Sequence, residues 1–442
     1  MSADLLATQP QEFRSRRRRL MDSLTGGAIV ITAGHESPRN NDVDHQYRQL
    51  SSFWYLTGFD EPDAVAVLRP DSDTPYTLFV RPYDPTFEIW VGRRAGVQGA
   101  VGPLEANAAY PLEQLDAQLP ELLADYETIY YALGSDDRVD GIISGLVNRR
   151  RSLAQRGAKA VRRIEDPTSQ VDLMRQVKTD EEIALLQRAI DITAHGFDAA
   201  MRTAAPGVNE YEVQAALEQP FRRLGSPRNG YPSIVAGGAN ACVLHYIRND
   251  EVLGPDDLLL IDAGAEYGYY TADVTRTWPV SGKFTPPQRE IYDIVLDAQK
   301  QTIAAVKPGA GFDDVHRVAT RALIRGLLDL GIMEGEVEQI LSDAAYRDYY
   351  MHGTSHWLGL DVHDCGPYRN DKGQIRLRPG MVLTIEPGLY FGPQARQTPE
   401  PYRGIGIRIE DDVLVTEDGC RVLSQAIPKE PDELEAIVSE SR

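Results

Sequence analysis

Cysteine is scarce in this chain, with Cys242, Cys365 and Cys420 the only three in 442 residues. Odd in number, widely spaced and without a C-x-x-C pair, they support neither a disulfide framework nor a thiolate zinc site. A reducing cytoplasm is the expected compartment, and any metal must be held by oxygen and imidazole. Long apolar runs are lacking too: no stretch offers 18 uninterrupted apolar residues, so no membrane-spanning helix is expected. The opening MSADLLATQPQEF lacks the charged-then-apolar order of a secretory signal, and export by that route is not expected. Basic charge is in deficit, 46 Lys and Arg against 66 Asp and Glu, for a formal net charge of −20. That argues against nucleic acid as a partner, because phosphate binding needs a basic surface. The one basic run, Arg16 to Arg19, reads together with Arg14 as the polar face of an N-terminal helix.

What is present is an ordinary globular balance, 42% hydrophobic and 25% charged, in a chain too long for one core, so two or three domains are expected. From Ala28 to about Ala160, short apolar runs (AIVIT, AVAVLRP, YTLFVRP, ETIYYAL) alternate with polar or helical stretches, the pattern of an α/β domain around a central sheet. A polar connection follows at Asp166 to Lys178, and Thr179 with Glu182 then forms a capping box ahead of Ile183, Leu185, Leu186 and Ile190. This predicts a long amphipathic helix and a domain boundary near residue 170, dividing the chain into 1–170 and 171–442. In the second part, Pro206-Gly207 is followed by Val213 and closes at Leu224-Gly225, while Pro308-Gly309 is followed by Val315 and closes at Leu330-Gly331. Each unit reads as a turn, an amphipathic helix and a glycine stop leading towards strands. Either the domain is a duplicated α+β unit or two common Pro-Gly turns coincide.

The segment IDAGAEYGYYTADVT consists of two strand-like runs folded about Tyr267 and Gly268. A two-residue loop there pairs residues whose numbers sum to 535, so Glu266 meets Tyr269 and Asp262 meets Asp273. Opposed Cβ atoms lie about 5 Å apart, and like charges so placed repel. Two divalent metal ions about 3.5–4 Å apart would resolve the repulsion and make a hydrolase. An exposed hairpin with two unrelated aspartates is the plain alternative.

Downstream, MHGTSHWLGLDVHD places His352, His356 and His363 within twelve positions of a chain with eight histidines. Gly353 and Gly359 disfavour a helix, so a loop entering a strand is expected, with Leu358 and Leu360 on one side and Gly359 and Asp361 on the other. In VLTIEPGLY an apolar run ends at Glu386, whose burial is costly unless it binds a cation or keeps its proton. In GIGIRIEDDVLV, Ile405, Ile407 and Ile409 alternate with Gly406, Arg408 and Glu410. That fits a strand with a wet charged face, or a liganding Glu410 oriented by Arg408. Asp262, Asp273, one histidine, Glu386 and Glu410 together offer four carboxylates and an imidazole, a set suited to divalent manganese, cobalt, iron or zinc.

The order Asp262, Asp273, His356, Glu386, Glu410, set in IDAGAEY, TADVTRTWPVSGKFT, HGTSHWLGLDVHD, TIEPGLY and GIGIRIEDDV, closely resembles the dinuclear metallopeptidases of the pita-bread fold. Within them the chain is similar along nearly its whole length to the bacterial Xaa-Pro aminopeptidases. YRQLSSFWYLTGFDEPDAV and FEIWVGRR resemble that family's first domain. The resemblance implies an α/β N-terminal domain, serving oligomerisation and substrate capping, followed by an α+β catalytic domain with the duplicated, pseudo-two-fold pita-bread fold. It implies two divalent ions, manganese first with cobalt, zinc or iron as alternatives. Asp262 and Glu410 would contact metal, Asp273 and Glu410 would bridge, and His356 and Glu386 would complete the shells.

A hydroxide between the ions would attack the bond preceding proline, with Glu386 as proton shuttle. By the same resemblance His245 and His363 would hydrogen-bond substrate and oxyanion, and His352, Tyr231 and Arg408 would line the proline pocket. Trp90 and Asp42 match residues lent by a neighbouring subunit in tetramers, a dimer being the other oligomer expected. Substrates would be peptides with proline in second place, and neither nucleic acid nor membrane is expected as a partner. The loop Cys365 to Arg378 departs from the family, and Lys372 there stands where an arginine reaches extended substrates, which puts preference beyond proline in doubt.

Prolidase, which cleaves only Xaa-Pro dipeptides, is the nearest rival, and HWLGL and FEIWVGRR favour the aminopeptidase. Creatine amidinohydrolase lacks the metal carboxylates, and methionine aminopeptidase usually lacks so large a first domain. Non-catalytic binding proteins on this scaffold have typically lost ligands, whereas none is missing here.

Overall fold

A computed structural model of the chain describes residues 8–153, 159–394 and 398–440, in two units, Met1–Met174 and Arg175–Arg442. In the first unit the apolar runs become a six-stranded sheet in the order Ala108–Pro111, Tyr76–Val80, Val65–Leu68, Gly27–Thr32, Thr128–Tyr130, Arg163–Glu165. Gly27–Thr32 is antiparallel to Val65–Leu68, pairing Val30 with Val67, and parallel to Thr128–Tyr130. The parallel neighbours Thr128–Tyr130 and Arg163–Glu165 need a crossover, which the helix Asp137–Leu153 supplies. Val30, Val67, Phe79, Leu119, Ile129 and Ile143 meet in the core between sheet and helices.

The helix Pro10–Ser23 departs from the expected polar face. Arg14, Arg18 and Arg19 are exposed, but Arg16 and Arg17 are buried. Arg16 lies 4.2 Å from the centre of the Tyr55 ring and donates to the Tyr55 carbonyl; Arg17 lies 3.9 Å from that of Tyr76 and donates to the Leu56 carbonyl. A planar guanidinium can stack on an aromatic face while its edge hydrogen-bonds, so half of the basic run is packed inward.

In the second unit Thr179 and Glu182 form the reciprocal capping box, and the helix runs Asp180–Thr203. It packs on Glu210–Arg223 as Pro286–Ala305 packs on Phe312–Asp329, and the matched Val213 and Val315 are both buried. Each helix pair leads into a three-stranded antiparallel sheet. The first holds Ile234–Gly237, Leu258–Ala263 and Val274–Pro279; the second holds Val382–Ile385, Asp411–Val415 and Cys420–Val422. A bridge between Thr275 and Glu410 joins the two sheets.

The hairpin between the two aspartates turns one residue later than expected. Tyr267 pairs with Tyr270, Glu266 with Thr271, and Asp262 with Thr275 instead of Asp273. The loop is Gly268-Tyr269, with φ of 56° and 71°. A type I′ turn requires both to be positive, and a tyrosine in the left-handed region is not an assignment sequence suggests. Because the pairing moves by two positions, every side chain keeps its face. Ala263 pairs with Val274 and the Ala272 N–H bonds the Ala265 carbonyl, which sets Asp273 against Gly264, diagonal to Asp262. The approach is close: a Cβ on Gly264 would lie 1.7 Å from the Ala272 carbonyl oxygen.

The strand expected at Leu358 to Asp361 does not form. The stretch is irregular apart from a bridge between Trp357 and Leu383, and Leu358 and Leu360 are both buried. The Asp364 N–H returns to the Trp357 carbonyl at 2.8 Å, folding the segment back before a ladder can extend.

Candidate active site

A cavity of about 570 Å³ opens where the two sheets meet, and Asp262, Asp273, His356, Glu386 and Glu410 all line it. Asp262 projects from Leu258–Ala263, Asp273 directly precedes Val274–Pro279, and Glu386 directly follows Val382–Ile385. Glu410 precedes Asp411–Val415, its N–H bonded to the Thr275 carbonyl at 3.0 Å. Ligand atoms of Asp273, His356 and Glu410 lie within 4.8 Å of one another. The Tyr231 hydroxyl lies 2.5 Å from both Asp262 Oδ1 and Asp273 Oδ1, its one proton available to either. Arg408 holds Asp262 Oδ2 at 2.6 Å. His356 Nε2 stands 3.2 Å from Asp273 and 3.5 Å from Glu386, while its Nδ1 faces the Trp357 carbonyl at 3.0 Å. That last contact engages Nδ1 and turns Nε2 towards the carboxylates.

The electrostatics of the cluster call for positive charge. Burial pushes Glu386 up to about 7, helped by Asp273 and Asp262 and opposed by His356. Burial also drives Glu410 well above the carboxylate range, and Asp273, Glu386 and Asp262 add to the rise. Asp262 is raised by burial and Asp273, against the pull of Arg408. Burial works against a charged His356, yet its bond to Asp273 and the field of Glu386 push it up to about 9. Four carboxylates this close cannot all ionise without cations between them, and hard oxygen donors with one imidazole fit divalent metal ions.

His245, His352, His363, Tyr231 and Arg408 line the same cavity. His352 is pushed down to about 3 by burial and by Arg408, and His363 is lowered by burial and by His356. Both are therefore neutral imidazoles at pH 7, able to donate or accept. Trp90 and Asp42 are not among the lining residues; they belong to the first unit, both exposed, Trp90 at 82%.

Residues 184–417 match metallopeptidase family M24. The chain belongs to this family. Residues 13–130 match the aminopeptidase P N-terminal domain. The chain is 43% identical to the Xaa-Pro aminopeptidase of Escherichia coli (strain K12), covering 98% of each. An aminopeptidase of Pseudomonas aeruginosa superposes with a TM-score of 0.96 at 39% identity, covering 99% of each chain. A zinc-substituted Escherichia coli aminopeptidase P in complex with product superposes with a TM-score of 0.94 at 42% identity, covering 98% of this chain and 99% of that one. The M24 unit therefore has the pita-bread fold, and the chain is a metal-dependent aminopeptidase.

Within the M24 unit, residues not singled out from sequence complete the constellation. Tyr390 meets His352 Nε2 at 2.8 Å and accepts from Arg408 at 2.9 Å. Thr275 donates to Glu410 at 2.5 Å and Thr384 to Glu386 at 3.2 Å. Their signal was faint: Thr275 lies two residues beyond Asp273, and Thr384 two before Glu386, on matching faces of their strands.

Proposed function

We propose that the chain removes the N-terminal residue from peptides whose second residue is proline. The observation that carries this is the convergence of Asp262, Asp273, His356, Glu386 and Glu410 on one cavity shared with His245, His352 and His363. The five residues would hold two divalent ions, manganese first. When bound, such ions polarise the scissile carbonyl and lower the pKa of water.

Glu386, in the same cavity, is placed to take a proton from the attacking water and deliver it to the leaving proline nitrogen. The rings of His245 and His363 make no hydrogen bond to a side chain or backbone among the described residues. They are free to donate to substrate and to the oxyanion as its charge develops. Tyr231, His352 and Arg408, the last two steadied by Tyr390, shape a slot for a rigid ring that offers no amide proton.

The oligomer is part of this reading. The helix Pro85–Val91 buries none of its residues and exposes Phe87, Ile89, Trp90 and Val91 at 47%, 81%, 82% and 56%. An apolar patch of that kind calls for a partner, and a second copy whose site receives Trp90 and Asp42 supplies one. A Trp90→Ser variant that sediments as a monomer supports this; an unchanged mass refutes it. The cytoplasm is the compartment that three cysteines outside any disulfide favour.

Metal-free protein restored with manganese should release arginine from Arg-Pro-Pro, and Asp262→Ala should not. Cleavage of Ala-Pro alone would make the enzyme a prolidase. Inactivity on both substrates with two ions bound per chain would refute the proline specificity.

A further inference from the structure

His356 and His363 bracket one irregular segment, and they are held very differently. His356 is tied to the neighbouring strand through its N–H to Thr384 Oγ1 at 3.1 Å and its carbonyl to the Thr384 N–H at 3.0 Å. His363 lies at the open side of the cavity, partly covered, and among the described residues the one ring its imidazole meets is that of His356, edge to face with centres 4.3 Å apart. Its place in the cavity must come from the backbone that carries it.

That backbone is anchored one residue on. The Asp364 N–H closes the turn onto the Trp357 carbonyl at 2.8 Å. Its side chain, 1% exposed, accepts from Arg175 on one oxygen at 2.6 Å and from Lys178 on the other at 3.1 Å. Both cations are buried as well, at 4% and 1% exposure, and Arg175 also reaches Asp361 at 2.7 Å. Lys178 is fixed in turn by its N–H to the Gly380 carbonyl at 2.8 Å. Gly359 closes over the cluster so tightly that a Cβ there would lie 2.2 Å from Asp364 Oδ2. Burying three ionised side chains is expensive where an apolar cluster would serve stability, and no other part of the proposed mechanism uses them.

We propose that Asp364, clamped by Arg175 and Lys178, is the positioning residue for His363. It holds the 357–364 turn so that an otherwise untethered imidazole meets the developing oxyanion. The idea rests on the role given to His363 above.

A double-mutant cycle on manganese-loaded enzyme cleaving Arg-Pro-Pro tests it. His363→Ala is expected to lower kcat by about 100-fold with KM nearly unchanged, as for loss of an oxyanion donor. Asp364→Asn is expected to lower kcat by at least about 10-fold, and the double variant to be no slower than His363→Ala. All variants should keep two ions. In metal-free protein, Asp364→Asn should speed amide exchange within 357–364 and leave that of Asp180–Thr203 unchanged. Losses that multiply in the double variant, or unchanged exchange in the turn, overturn the proposal. A His363→Ala enzyme with normal kcat overturns instead the role of His363 on which it stands. Should Asp364→Asn fail to fold, Lys178→Met, which leaves the Arg175 pair intact, enters the same cycle with the same expected non-additivity, and Lys178→Arg should recover part of the rate.

Discussion

Replacing Arg276 with methionine should lower the melting temperature sharply, and the structure lets the size be worked out. Arg276 and Asp411 are both 0% exposed and paired at 2.7 Å. The guanidinium also donates to the carbonyls of Ile427, Pro428, Thr275 and Glu410. Methionine keeps most of the stem's volume, so the loss is polar. Asp411 retains Lys429, Ser424 and Gln299 at 2.5, 2.6 and 2.5 Å. Breaking the buried pair therefore falls at the low end of its range, about 3 kcal/mol. The Ile427 and Pro428 carbonyls, left without this donor, add about 1 kcal/mol each. A total of about 5 kcal/mol in a unit of this size corresponds to a fall of about 10–20 °C. Differential scanning calorimetry of the manganese-loaded protein at pH 7 measures it. A shift below about 4 °C would refute the reasoning, because the pair would then contribute no more than a surface contact.

Acid should expose the Asp364 clamp. Burial alone would raise this carboxyl, but Lys178 and Arg175 hold it below the usual range. Its folded value lies under its unfolded one, so the stabilisation is full above about pH 4 and is lost as pH falls through the depressed value. The fall in melting temperature on acidification should be shallower in Asp364→Asn; equal slopes would contradict it. Gly264→Ala should abolish metal binding or prevent folding, since its Cβ would meet backbone at 1.7 Å between the two aspartates; calorimetric titration with manganese showing normal stoichiometry would count against that. Chelation should abolish hydrolysis and lower the melting temperature, because an ion at 100 times its Kd contributes about 2.7 kcal/mol. A melting curve indifferent to chelator and added manganese would count against an ion-holding site.

Local chemistry made part of this protein legible in sequence. The capping box of Thr179 and Glu182 starts the helix Asp180–Thr203 because both partners lie within one turn. The strands Gly27–Thr32, Val65–Leu68 and Tyr76–Val80 coincide with short apolar runs whose length and β-branched or aromatic content favour a buried sheet. The family, too, was legible, since ordered carboxylates and histidines with their flanking segments carry it. Tertiary structure decided the rest. The hairpin register turned on Tyr269 adopting a left-handed conformation. Arg16 and Arg17 went inward because aromatic rings from distant segments stack on them. The hydroxyls of Thr275 and Tyr390 enter the site through partners far along the chain, Glu410 for one and His352 for the other. Spacing along a chain encodes which neighbours share a face; which distant faces meet, and what charge they confine, is settled only by the packed fold.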